Sequence, residues 1–448
     1  MALIIIVILL LAYLLIATER FTNFNKAAVA IFAGTVGWVL YICYGTDFVM
    51  GVHPKEYADF LAGAAPTSLG VKQYIAQNIF LKYVGQASEI VIFLLATMTI
   101  VEILSNNGCF DFITQLLKTR RTRRLLWTLA VITFLLSANL DNLTTTVMML
   151  AVARKLIQNR RQRILFGSAI VIAANCGGAL TVIGDPAGLV LWNMEKVTAT
   201  AFSMKMLLPC LVAWIVPTWW IGRLLPDHCD VGGTAMPYRG DDTRLTVWQR
   251  LLMLFVGIGG LWFIPTFHNI TQLSPFLGAM CVLAVLWIVD ELYNRRLAAS
   301  GELVGRKVPG VLQYETIQMV LYVMGLMLAV SVVEETGAIH WLVAEIGKSQ
   351  VDMGWWLIGP VVAAVSIVLE NFATAITFFT LAPDLEQNSI YWSLVTFASG
   401  IGGNVLCISS MSGLALVKME RIRIGWYVKN VGGMALLGLV VGMVLMLI

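Results

Sequence analysis

Polar and charged residues gather into short clusters that separate long, nearly unbroken apolar runs. A single bilayer crossing needs about 20 apolar residues. Scanned at that length, the chain shows apolar blocks at 2–17, 27–44, 89–107, 124–157, 163–195, 204–224, 249–266, 272–290, 315–334, 354–383, 389–417 and 428–447. The runs are continuous rather than alternating, which predicts helices and not barrel strands. The blocks 124–157 and 354–383 are over-long and have polar centres. The first is flanked by Lys118, Arg120, Arg121, Arg123 and Arg124, then by Arg154, Lys155, Arg160, Arg161 and Arg163. Basic flanks stay inside, so both ends lie on one side and the block is a re-entrant hairpin. The second is flanked by Glu334, Glu335, Glu345 and Asp352, then by Asp384 and Glu386, and predicts a hairpin entering from outside. Ten crossings, two hairpins and both termini outside follow. The linker 225–248 falls inside against its own charge, with four Asp and two Arg.

The two hairpins read alike. Ser137-Ala138-Asn139-Leu140-Asp141-Asn142 aligns with Ser366-Ile367-Val368-Leu369-Glu370-Asn371 at an offset of 229 positions. Past each hairpin, Gly177, Gly178, Ile183, Gly188, Leu189, Leu191, Met194 and Glu195 recur as Gly402, Gly403, Ile408, Gly413, Leu414, Leu416, Met419 and Glu420. Each copy holds five crossings, and an odd count inverts the second copy. The expected architecture is an all-α polytopic membrane protein of two inverted five-helix repeats, about ten transmembrane helices. The N-terminal repeat is 1–224 (hairpin 124–157, broken helix 163–195), then comes the 225–248 loop, and the inverted repeat is 249–448 (hairpin 354–383, broken helix 389–417). The breaks are expected at Gly177-Gly178 through Gly188 and at Gly400 through Gly413, since Gly permits unwound backbone and Pro186 removes a donor. Inverted repeats with paired broken helices are the plan of secondary transporters, whose site lies near the midplane.

Composition agrees. Apolar residues make up 59% of the 448 and charged residues 12%, against about 25% charged in a soluble domain, which excludes soluble and disordered classes. A net charge of +4 gives no reason to expect nucleic acid. The seven cysteines are scattered with no CxxC, so neither a disulfide framework nor a soft-metal site is expected. The run 2–17 lacks a basic leader and reads as a retained first helix. The residues 45–88 are long and polar for this chain. No phosphate-binding Gly loop, nucleophile elbow or zincin pattern occurs, so ATP-driven transport and enzyme chemistry are not expected.

Asp141 and Glu370 carry the strongest chemical signal. A carboxylate at the bilayer centre costs on the order of 3 kcal/mol and is kept for a cation, a proton or a partner. Each precedes an Asn (Asn142, Asn371) and lies near hydroxyls: Ser137, Thr144, Thr145 and Thr146 in one copy, Ser366 and Thr374 in the other. Carboxylate, amide oxygen and hydroxyl form a hard-oxygen set suited to Na⁺ or Li⁺. Asp and Asn also favour helix caps, but two symmetric copies within apolar runs point to a site. Asp185 is a third acid, whose counterpart is Ser410. Asn175, Asn404 and Ser409 near the breaks complete the candidates. Na⁺ is expected at Asp141, Asn142, Glu370 and Asn371. The four histidines, His53, His228, His268 and His340, read as loop or span-end residues.

SANLDNLTTT (Ser137–Thr146) and AANCGGALTVIGD (Ala173–Asp185) resemble the NhaD-type Na⁺/H⁺ antiporters of the ion transporter superfamily, as do Leu94–Glu102, Leu369-Glu370-Asn371 and Ile401–Asn404. The resemblance covers about residues 85–420. It implies paired hairpins, broken helices, a homodimer, and functional positions at Ser137, Asp141, Asn142, Asn175, Asp185, Ser366, Glu370, Asn371 and Ser409. The chain departs in having Glu370 where that family usually has Asp, and Pro186-Ala187-Gly188 where hydroxyl residues are common.

The expected function is exchange of Na⁺ (or Li⁺) for H⁺ by alternating access, with the hairpin carboxylates shared between cation and protons. No cofactor is called for; the ions are cargo. The expected location is the inner cell membrane. The alternatives are a Na⁺-coupled dicarboxylate or citrate symporter, or an arsenite carrier. A dianion would be repelled by two ionised carboxylates in a low-dielectric site.

Overall fold

In the computed structural model, the described residues are 1–62, 65–110, 112–113, 117, 119, 121–228, 245–299, 314–338, 355–382 and 385–447. Among them the architecture is helical, and the β pairing is an isolated bridge between Arg121 and His228. The polar link 225–248 and the acidic flank with Glu345, Asp352 and Asp384 lie largely outside the described residues.

The helices that matter here are α1 (Ala2–Ala17), α2 (Lys26–Cys43), α3 (Ser68–Asn106), α4 (Thr122–Ser137), α5 (Asn142–Leu156), α6 (Arg160–Leu180), α7 (Pro186–Asn193), α8 (Ala199–Leu224), α9 (Val247–Thr271) and α10 (Pro275–Ala299), followed by α11 (Tyr314–Glu335), α12 (Trp355–Val368), α13 (Asn371–Thr380), α14 (Ile390–Gly402), α15 (Met411–Glu420) and α16 (Ile424–Leu447). Eight helices are long and apolar enough to cross a membrane. They meet eight of the ten expected crossings. The other two are α1, with 16 residues, and the block 389–417, which is divided into α14 and α15. This is a polytopic helical membrane protein.

Two expectations are corrected. The third crossing, expected at 89–107, is a helix of 39 residues that starts at Ser68. Its polar first turns wind through a π-helical segment, Ile75–Phe80, into the apolar part. The rest of the polar stretch forms short helices, Gly45–Val52 and Pro54–Leu61. The second correction concerns the breaks. Helix α6 runs unbroken through Gly177-Gly178 to Leu180, and α14 through Gly400 to Gly402. The unwound segments are therefore 181–185 and 403–410. The glycines are there for close approach: a Cβ at Gly177 would lie 2.3 Å from the Phe134 carbonyl oxygen, and one at Gly178 2.8 Å from that of Gly184.

At about 1.5 Å per residue, α4 and α5 are each roughly 22–24 Å long, short of an apolar layer of about 30 Å. They turn back at Ala138–Asp141, as α12 and α13 do at Leu369-Glu370. Packing comes in matched sets. α4 and α5 lie on α6, and α12 and α13 on α14; α5 touches α15, and α7 touches α13; α8 packs along α16. The hairpin tips and both unwound segments thus converge between the two halves.

Candidate functional site

Each interruption in the helices ends in a residue that caps the next helix, because the first N–H groups of a helix lack partners. Asp141 caps α5, accepting from the Thr144 N–H at 3.0 Å. Glu370 caps α13 through the Ala373 N–H at 2.9 Å. Asp185 caps α7 through the Ala187 N–H at 2.9 Å, and Ser410 caps α15 through the Gly413 N–H at 3.0 Å. A carboxylate has two oxygens, and the cap occupies one. The second oxygens of Asp141 (Oδ1) and Glu370 (Oε1) are buried without a hydrogen-bond partner. Capping and ion binding are therefore compatible at these residues.

The first half joins two acids. Asn142 donates its amide to Asp185 Oδ2 at 2.8 Å. Asn142 directly follows Asp141, so this bond ties Asp185 to the first hairpin tip. The second hairpin tip joins an acid to a base that comes from the first half. The Tyr322 hydroxyl donates to Glu370 Oε2 at 2.7 Å, and the Lys26 ammonium stands 4.0 Å from Oε1. The Asn371 N–H donates to the Ser409 carbonyl at 3.0 Å, which ties the second tip to the unwound 403–410 segment. Between the halves, the Asn175 amide donates to Asn404 Oδ1 at 2.8 Å and to Ser410 Oγ at 3.1 Å.

The other candidates divide in two. Thr145 Oγ1, Asn175 Oδ1 and Ser409 Oγ are buried oxygens without a partner, like those of Asp141 and Glu370. A fully buried polar atom is normally paired, so this set of oxygens suits a hard cation. Ser137 and Ser366 are committed elsewhere. Ser137 donates to the Ala174 carbonyl at 2.7 Å and Ser366 to that of Ser399 at 2.6 Å, each pinning a hairpin to its long helix. Thr374 donates to the Glu370 carbonyl one turn back, and Asn371 Oδ1 accepts the Phe372 N–H.

Sequence alone does not single out Lys26 or Tyr322, and Ser410 stands out there only as the counterpart of Asp185. Lys26 reads as an ordinary basic residue at the edge of an apolar block, and Tyr322 as one aromatic among aliphatics. Their partner lies 344 and 48 positions away. The alignment of Ser410 with Asp185 holds in its role, since each caps the helix that follows.

Interrupted helices, paired hairpins and a buried polar centre define a membrane transporter, with cargo moved rather than transformed. Comparison with known proteins places it further. The family model of citrate transporters, CitMHS, matches residues 13–402, and the chain belongs to that family. Among its relatives, "Sodium/proton antiporter 1" of Arabidopsis thaliana is 33% identical over 80% of this chain, which spans only 61% of that protein's length. "Sodium/proton antiporter 2" of the same plant is 28% identical over 96% of each chain. The "Na(+)/H(+) antiporter NhaD" of Vibrio parahaemolyticus is 25% identical over 75% of this chain and 83% of its own length.

Proposed function

We propose that the chain exchanges Na⁺ (or Li⁺) for protons by alternating access, with Asp141, Asp185 and Glu370 as the carboxylates over which cation and protons compete. The observation that carries this is the pair of hairpin carboxylates, each capping a helix with one oxygen and leaving the other buried and unpartnered. A small desolvated cation or a proton satisfies such an oxygen, and a site that holds only one of them at a time couples their fluxes. The names of the relatives point the same way. The matched packing of the two halves supports the inverted repeat, with rocking of one part against the other as the transport motion. A homodimer in the inner membrane belongs to the same proposal.

The family description makes citrate symport the second reading. Asp141, Asp185 and Glu370 are buried here, and among the described residues only Glu370 has an ammonium beside it; such an excess of carboxylates repels a polyanion at close range. Reconstituted vesicles decide between the two. With an imposed pH gradient and an internal pH dye, external Na⁺ or Li⁺ should dissipate the gradient. If they do not, while Na⁺ drives uptake of labelled citrate or succinate, the exchange reading is wrong.

A further inference from the structure

We propose that Lys26 is a tethered cation that occupies the Glu370 carboxylate, so that the transported ion is bound in the first half alone. The proposal rests on the exchange reading above and narrows it: Glu370 is held by Lys26, and cation and protons compete over Asp141 and Asp185. Lys26 opens α2 just after the Asn25 cap and is 6% exposed. Its Nζ has no hydrogen-bond partner, and neither has Glu370 Oε1, which it faces at 4.0 Å. The ammonium also lies 4.5 Å from the centroid of the Tyr322 ring, whose hydroxyl binds the other oxygen of Glu370. Glu370 is thus enclosed by an ammonium on one oxygen and a phenol and an N–H on the other. Asp141 has neither base nor phenol; its neighbours are the Thr144 hydroxyl and backbone.

A buried ammonium persists only beside an anion. Glu19 and Lys418 line the same cavity as Lys26 and pair with each other at 3.6 Å; among the described residues the carboxylate ion-paired with Lys26 is that of Glu370. Glu19, Lys26, Leu143, Gln318, Met411 and Lys418 line a cavity of about 80 Å³, which shares Glu19, Gln318 and Lys418 with a wider one of about 660 Å³. Lys26 therefore lines a cavity that also reaches Leu143, next to Asn142. Among the described residues, the hairpin carboxylate of Glu370 is faced by the chain's own ammonium, while that of Asp141 is not. Tethering gives the attached cation a high effective concentration, so a free ion of the same charge is directed to Asp141 and Asp185.

The test is the number of ²²Na⁺ ions bound per chain in the purified full-length protein, by equilibrium dialysis at alkaline pH. One ion is expected in the wild type, two in Lys26→Gln, one in Lys26→Arg, and one again in the Lys26→Gln/Glu370→Gln double variant. One ion in both wild type and Lys26→Gln overturns the proposal and leaves the exchange reading standing. Two ions in the wild type do the same. No ion in the wild type overturns both. If Lys26→Gln does not fold, Glu370→Gln decides. Undiminished binding of one ion is expected, and loss of that ion would show Glu370 to be its ligand.

Discussion

The two hairpins share a scaffold and differ in what they do with their acid. In the first, Asp141 keeps one oxygen free and has a second acid, Asp185, brought near through Asn142. In the second, the position of Asp185 is taken by Ser410, and the acid is a Glu. Its extra methylene lets one carboxylate cap α13, accept from Tyr322 and face Lys26 together. One hairpin gathers negative charge, and the other has its acid faced by a lysine of α2. On the proposed reading, two hairpins of similar sequence keep matching caps while separating an open ion site from a charge-balanced one.

Substituting the two acids should break the comparison most visibly. Asp141→Asn should lower Na⁺-driven proton movement in vesicles on the order of a hundredfold, the equivalent of about 3 kcal/mol for a lost charged ligand. It should leave thermal stability equal or higher, because it removes a buried charge that has no base. Glu370→Gln should do the reverse to stability. It strands the Lys26 ammonium and should cost about 3–5 kcal/mol, read as a clear fall in melting temperature in detergent. Equal melting temperatures for the two variants would contradict the division drawn here.

These residues also show what the sequence makes legible. The Asp-Asn and Glu-Asn tips were visible because a charge inside an apolar run is costly wherever the chain goes, and duplication printed it twice. Lys26 was hidden because its significance lies in a partner 344 positions on, and a lysine at the edge of an apolar block already has an ordinary explanation in topology. The breaks fall within the expected stretches but are narrower, for a related reason. Gly177-Gly178 carries the same composition whether it unwinds a helix or lets one pack closely, and only the nearness of Phe134 decides. The polar residues 68–88 carry no apolar run to announce a crossing, yet they continue the third crossing as helix.

The glycines sharpen the comparison at the next level. Gly177 aligns with Gly402, yet their surroundings differ. A Cβ at Gly177 would strike the Phe134 backbone at 2.3 Å, whereas one at Gly402 would meet the Ser366 side chain at 3.1 Å. Backbone cannot step aside, and overpacking of that kind costs about 1–3 kcal/mol. At Gly402, a helix-propensity gain of up to about 1 kcal/mol offsets the milder squeeze. Gly177→Ala should therefore be destabilising and Gly402→Ala close to neutral, as chemical denaturation of the purified protein would show.

The smallest effect tests where the halves agree rather than differ. Ser137 and Ser366 are fully buried and donate to carbonyls of α6 and α14 at nearly the same length. If both are pins, Ser137→Ala and Ser366→Ala should each cost about 1 kcal/mol, the net worth of one such bond, and should lower the melting temperature alike. Na⁺ affinity should change little in either, since each hydroxyl proton points to backbone. A much larger loss of Na⁺ affinity in Ser137→Ala alone would place that oxygen in the ion's shell beside Asp141. The first half would then differ from the second by a ligand as well as by charge.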